Sequence, residues 1–102
     1  MHLIEILLPL NDNQGRRFGA GLFAQVREEL LEHFGGLTAF TRSPAEGLWE
    51  AREGERSRDE IVIFEVMTDW IDRSWWRSYR ALLEQRFAQD EIVIRAREVE
   101  RL

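Results

Sequence analysis

The 102-residue chain contains no cysteine, which removes disulfides, thiol nucleophiles and thiolate metal sites together. Its two histidines, His2 and His33, are far apart and form no metal-ligand spacing, so no metal is expected. His33, near a helix C-terminus, is adequately explained by the helix dipole. There is no Gly-x-Ser-x-Gly elbow, and Ser43, Ser57, Ser74 and Ser78 have no evident base. Gly15-Arg16-Arg17-Phe18-Gly19-Ala20-Gly21 stands just before a helix, where anions bind well. It lacks both the dinucleotide-binding spacing and the Lys-Ser/Thr of a Walker loop, and reads as a flexible loop. No cofactor is implied. No apolar run approaches the roughly 20 residues of a membrane-spanning helix, and the Met-His-Leu-Ile-Glu start lacks the n- and h-regions of a signal peptide. A cytoplasmic protein is expected. A net charge of −5 and a pI near 5.1 argue against nucleic-acid or anionic-membrane binding, since both need a basic footprint. A local arginine patch could still hold one anion.

What is present is a globular composition. Hydrophobic residues make up 44% of the chain, with four Trp and six Phe, and charges of opposite sign alternate instead of forming the blocks of a disordered tail. Residues 1–102 therefore make a single domain, long enough for one two-layer core.

Asp59 to Met67 organises the reading: it is rich in β-branched residues, uninterrupted by Pro or Gly, and bracketed by Gly54 and Thr68-Asp69. It is expected to be a central strand. A first strand spans His2 to Pro9, alternating Ile4, Ile6 and Leu8 with Leu3, Glu5 and Leu7. A helix follows from about Ala20 to Phe34, with Phe23, Val26, Leu30 and Phe34 at helical spacing and Gly35 as its C-terminal cap. A second strand, Leu37 to Arg42, leads through Ser43 to Gly47 into Leu48 to Ala51, and a charged turn at Glu53-Gly54-Glu55 closes a hairpin onto the central strand. Asp69 or Asp72 caps a second helix of about sixteen residues, whose apolar stripe is Trp76, Tyr79, Leu83 and Phe87. Ile92 to Val99 alternates as a last strand.

The order is βαββαβ. Right-handed crossovers joined by a hairpin fold it into a ferredoxin-like α+β domain, a four-stranded antiparallel sheet with two helices on one face. Glu5 and Glu65 interrupt otherwise apolar strands, and a buried unpaired carboxylate is costly. Their charge assigns them to the face without helices. Parity then places Leu3, Leu7, Ile61, Ile63, Met67, Val93, Arg95 and Arg97 with them, and Thr38, Phe40 and Arg42 beside them. Each large apolar side chain left exposed there forgoes about 1.5–3 kcal/mol of burial, and the patch exceeds what soluble monomers usually carry. The simplest cover is a second copy, making a homodimer.

Phe34-Gly35-Gly36-Leu37-Thr38, followed by Gly47-Leu48-Trp49 and a glycine-containing turn, resembles a pattern of short uncharacterised bacterial proteins, and the element order is similar to the dimeric α+β barrel superfamily. The resemblance implies a dimer and a ligand cavity between the sheets. Members of that superfamily include cofactor-free monooxygenases, lactone isomerases and haem-degrading proteins, so it implies no particular reaction.

Several chemistries are open. Glu5 and Glu65 could form an acid/base pair, or a structural network with Arg95 and Arg97. Arg42, Arg95 and Arg97 could clamp a carboxylate or phosphate, or hold the dimer. Trp49 and Tyr79 could wall an aromatic ligand, or be packing residues. Three functions follow: a homodimer binding a small organic molecule between its sheets, a cofactor-independent enzyme, monooxygenase- or isomerase-like, using a glutamate acid/base, and a structural or protein-interaction module that uses the charged hairpin.

Overall fold

A computed structural model describes the backbone of residues 1–52 and 55–102, and the side chains of residues 1–39 and 60–102. The elements run β1 (His2–Pro9), α1 (Ala20–Phe34), β2 (Thr38–Arg52), β3 (Glu55–Thr68), α2 (Arg73–Arg86) and β4 (Ile94–Glu98). The strands form one antiparallel sheet in the order β2-β3-β1-β4, the expected ferredoxin-like α+β arrangement.

Sheet and helices meet along the parity marked by the two glutamates. Ile4, Ile6 and Leu8 from β1 and Val62, Phe64 and Val66 from β3 are buried. They pack with Phe23, Val26 and Leu30 of α1, Trp76, Tyr79 and Leu83 of α2, and Phe87 just beyond it. All the sheet residues in this core are even-numbered, so they share one face and both helices lie over it. A hydrophobic stripe at helical spacing and one at period two have found each other, which is the minimal two-layer solution.

Capping sets the helix limits. The Asp72 side chain accepts the Trp75 amide proton at 3.1 Å and starts α2. Gly35 ends α1 with φ +79°, its N–H donating to the Leu31 carbonyl at 2.8 Å, a left-handed conformation open to glycine without steric cost. The loop before α1 is tied by local hydrogen bonds. Asp12 Oδ1 accepts the amides of Gln14 and Arg16, both at 2.9 Å, and a bridge joins Asn11 to Arg17.

Two strand boundaries differ from the expected ones. The segments 37–42 and 48–51 belong to one strand: Phe40 faces Ile63 and Ala45 faces Ile61, so a bulge containing Pro44 takes up the residues that broke the alternation. The last strand begins at Ile94, because the Ile92 amide donates to Glu84 Oε2 at 3.0 Å and leaves the ladder. Ile92 is nonetheless core, at 2% exposure.

Candidate functional site

The open face of the sheet is built around one cross-strand row. Thr38 faces Glu65, Glu65 faces Glu5, and Glu5 faces Arg95. Hydrogen-bond phase decides how close these groups lie. The Leu10 amide donates to the Glu60 carbonyl at 2.9 Å, which fixes the alternation of bonded pairs between β1 and β3. Glu5 and Glu65 therefore form a non-bonded pair, the type in which Cα atoms approach to about 4.5 Å and side chains lie closest. Like charges in that position repel. On the other side, Arg95 Nε lies 3.4 Å from Glu5 Oε1. Glu5 is the better covered partner, its side chain 13% exposed against 57% for Arg95.

Apolar groups surround the row. Leu3 and Leu7 of β1 and Ile61 and Ile63 of β3 are half-buried by their neighbours, while Met67 and Val93 are 51% and 46% exposed. Arg97 faces Leu3, so it stands one row from Arg95 on the same face. The sheet thus brings together Glu5, Glu65, Arg95 and Arg97. The side chains of Arg42 and Trp49 lie outside the described residues. Tyr79 belongs elsewhere: it lies in the helix layer, 6% exposed, on the far side of the sheet from Glu5.

There Tyr79 joins a cluster that the sequence does not announce. Arg86 Nη1 and Nη2 donate to Glu29 Oε1 and Oε2 at 2.6 and 2.9 Å, and the Tyr79 hydroxyl donates to Glu29 Oε1 at 3.0 Å. The hydrogen bond from Arg86 holds the Glu29 carboxyl below the usual carboxylate range against the opposing effect of burial, and the Tyr79 bond adds to it. Burial first, and then the Glu29 charge, push the Tyr79 hydroxyl well above its ordinary value, so it remains a donor. Trp75 is stacked between His33, at 4.0 Å, and Tyr79, at 4.8 Å. Glu29, His33, Trp75 and Tyr79 line a shallow hollow of about 310 Å³ with Glu32. Their only sequence signal was position, since Glu29 and Arg86 flank the apolar stripes of two helices that must pack.

A second hollow, of about 240 Å³, lies between α2 and β4 and is lined by Ile71, Arg73, Trp76, Arg77, Arg80 and Ile94. Among the described residues, no group of three His, Asp or Glu side chains is arranged to hold a metal ion, and no helix is long and apolar enough to cross a membrane.

No family model matches the sequence, and no curated protein matches it. By structure, the chain is similar to a phage SAM lyase solved in complex with S-methyl-5'-thioadenosine. The match has a TM-score of 0.59 at 15% identity, over 95% of this chain and 80% of the other. The likeness is one of fold.

Proposed function

We propose that this chain associates with a second copy of itself through the open sheet face and holds a small organic molecule between the two sheets, beside Glu5, Glu65 and Arg95. The observation that carries this reading is the row Glu65-Glu5-Arg95 set in an uncovered apolar face. Apolar walls with a few convergent polar groups are the usual make-up of a small-molecule site. Two carboxylates beside the Arg95 and Arg97 guanidiniums offer both signs of charge, which suits a ligand with a cationic centre and an acidic or hydrogen-bonding end. The fold neighbour binds a nucleoside thioether, and its substrate class carries a sulfonium, a permanent cation. S-adenosylmethionine and S-methyl-5'-thioadenosine are therefore the first ligands to try. Calorimetric titration with each should give saturable binding that weakens in Glu65→Gln. Sedimentation should show a dimer, and a monomer at micromolar concentration would overturn the self-association.

A second reading is favoured by the facing carboxylates and by the neighbour's being a lyase. In it the protein is a cofactor-independent enzyme in which Glu5 or Glu65 moves a proton and Arg95 holds negative charge. With no cysteine and no lysine in the chain, thiolate and Schiff-base catalysis are unavailable, whereas a sulfonium needs neither. A carboxylate can take the proton from the carbon next to the C–S carbon. The C–H pair then forms a carbon–carbon double bond, and the C–S pair leaves on sulfur as a neutral thioether. Release of S-methyl-5'-thioadenosine from S-adenosylmethionine, followed by chromatography, measures this directly. Turnover retained in both Glu5→Gln and Glu65→Gln would refute the proton-moving role.

A further inference from the structure

The three arginines beside the second hollow stand four and three residues apart on α2, which puts them on one face of the helix. Below them, Ile71, Trp76 and Ile94 make an apolar floor. Among the described residues, neither Arg73 nor Arg77 has a carboxylate within ion-pair distance, and Arg80 Nε is 4.0 Å from Glu84 Oε2. That Glu84 oxygen already accepts the Ile92 amide proton. Acids outnumber bases nineteen to fourteen in this chain, so a row of cations short of partners is not a by-product of composition.

Their position sharpens the point. Arg73 is the first residue of α2 and Arg77 follows one turn later, at the end where the helix dipole disfavours positive charge. The first turn contains no acidic residue, and the Asp72 carboxylate is committed to the Trp75 amide. An anion seated among the arginines would offset both their mutual repulsion and the dipole. The strand on the other side of the hollow supplies a further donor. The Leu7 amide bonds to the Val93 carbonyl, and this phase turns the Ile94 amide away from β1 toward the free edge of the sheet.

We propose that the hollow between α2 and the edge of β4 is a binding site for a phosphate-bearing small molecule, gripped by Arg73, Arg77 and Arg80. Guanidinium forks match phosphate oxygens two at a time, and three of them supply more charge than a single carboxylate balances. The hollow, at about 240 Å³, falls below the roughly 300–1,000 Å³ of pockets that enclose drug-sized ligands. A compact phosphomonoester with its organic part on the Trp76 side fits that size. A nucleic-acid strand does not fit, given the acidic remainder of the protein. This site lies on the opposite side of the sheet from Glu5 and does not depend on the function proposed for that face.

The test uses the full-length protein labelled with ¹⁵N and titrated with inorganic phosphate and with phenyl phosphate, at ionic strength held constant with chloride. Saturable shifts are expected at the Nε–H signals of Arg73, Arg77 and Arg80 and at the Ile94 amide, with phenyl phosphate binding more tightly. Arg77→Gln and Arg73→Gln should each weaken binding about tenfold, the equivalent of one charge-assisted hydrogen bond. Arg77→Lys, which keeps the charge and loses the fork, should weaken it less, and Arg27→Gln on α1 should leave it unchanged. Amide spectra establish that each variant is folded. Shifts that rise linearly without saturating, or that Arg27→Gln reduces as much as Arg77→Gln does, would overturn the site.

Discussion

Removing the Arg86 guanidinium should cost this protein far more than the loss of a typical surface ion pair. Arg86→Met keeps most of the apolar stem, which covers neighbouring surface, and deletes two bonds to Glu29 at 2.6 and 2.9 Å. What remains for the Glu29 carboxylate is the Tyr79 hydroxyl and water on its open side, since its side chain is 32% exposed against 13% for Arg86. Exposed pairs are worth about 0.2–1 kcal/mol, and breaking a fully buried one costs about 3–5 kcal/mol. This half-covered fork falls between them, at about 2 kcal/mol. For a domain of this size that corresponds to a fall in Tm of roughly 8–16 °C. Urea unfolding of Arg86→Met, Glu29→Gln and the double variant isolates the pair, with a coupling energy of about 1–2 kcal/mol expected.

The coupling also has a pH signature. Glu29 has its carboxyl depressed in the folded state, chiefly by the Arg86 hydrogen bond. A depressed carboxylate adds stability above the pH where the unfolded group titrates, near 4.3, and that stability is lost as pH falls through the folded value. The coupling should hold level across the neutral range and shrink once the pH falls below about 4. A coupling under about 0.5 kcal/mol, or one that stayed constant into acid, would refute the view that this fork ties α1 to α2.

Two smaller perturbations follow from the helix ends. Asp72→Ala leaves the Trp75 amide without its acceptor and should cost about 0.5–2 kcal/mol of stability by thermal unfolding, with Asp72→Asn recovering most of it. Gly35→Ala has room for its methyl group but must hold φ +79°, so a loss of about 1–2 kcal/mol is expected from backbone strain alone. A neutral outcome would show that the α1 terminus can re-form without a left-handed residue.

The arrangement of elements was readable because each layer had a clean period. Ile4, Ile6 and Leu8 against Glu5, and Val62, Phe64 and Val66 against Glu65, named the core face before any helix was placed on it, and all six apolar groups are buried. Where the period failed, the cause was a long-range contact or a local accommodation. Pro44 and Gly47 looked like a break in β2, yet a bulge lets the strand continue past them. Ile92 looked like ladder, yet a carboxylate from the preceding helix takes its amide. The Glu29, Arg86 and Tyr79 cluster and the arginine row of α2 are not legible in the sequence for a different reason. Charged residues at the margin of an amphipathic stripe look the same in sequence whether they face water or a second helix.

The two candidate sites differ in charge, one mixed and one basic, and the sheet separates them. Glu5 and Glu65 lie on the open face, while Arg73, Arg77 and Arg80 stand beyond the edge of the helix-covered one. One compact ligand cannot touch both, so their tests are independent. Their relation also bears on assembly. If two copies meet face to face over Leu3, Leu7, Ile61 and Ile63, the edge of β4 stays free and phosphate binding is the same in monomer and dimer. If copies instead join edge to edge along β4, the outward Ile94 amide is consumed by the neighbouring strand, and phosphate binding weakens as protein concentration rises. Titration at two protein concentrations about a hundredfold apart, spanning the association range expected for a standard-sized interface, therefore distinguishes the two packings. Face-to-face association predicts identical affinities at both concentrations.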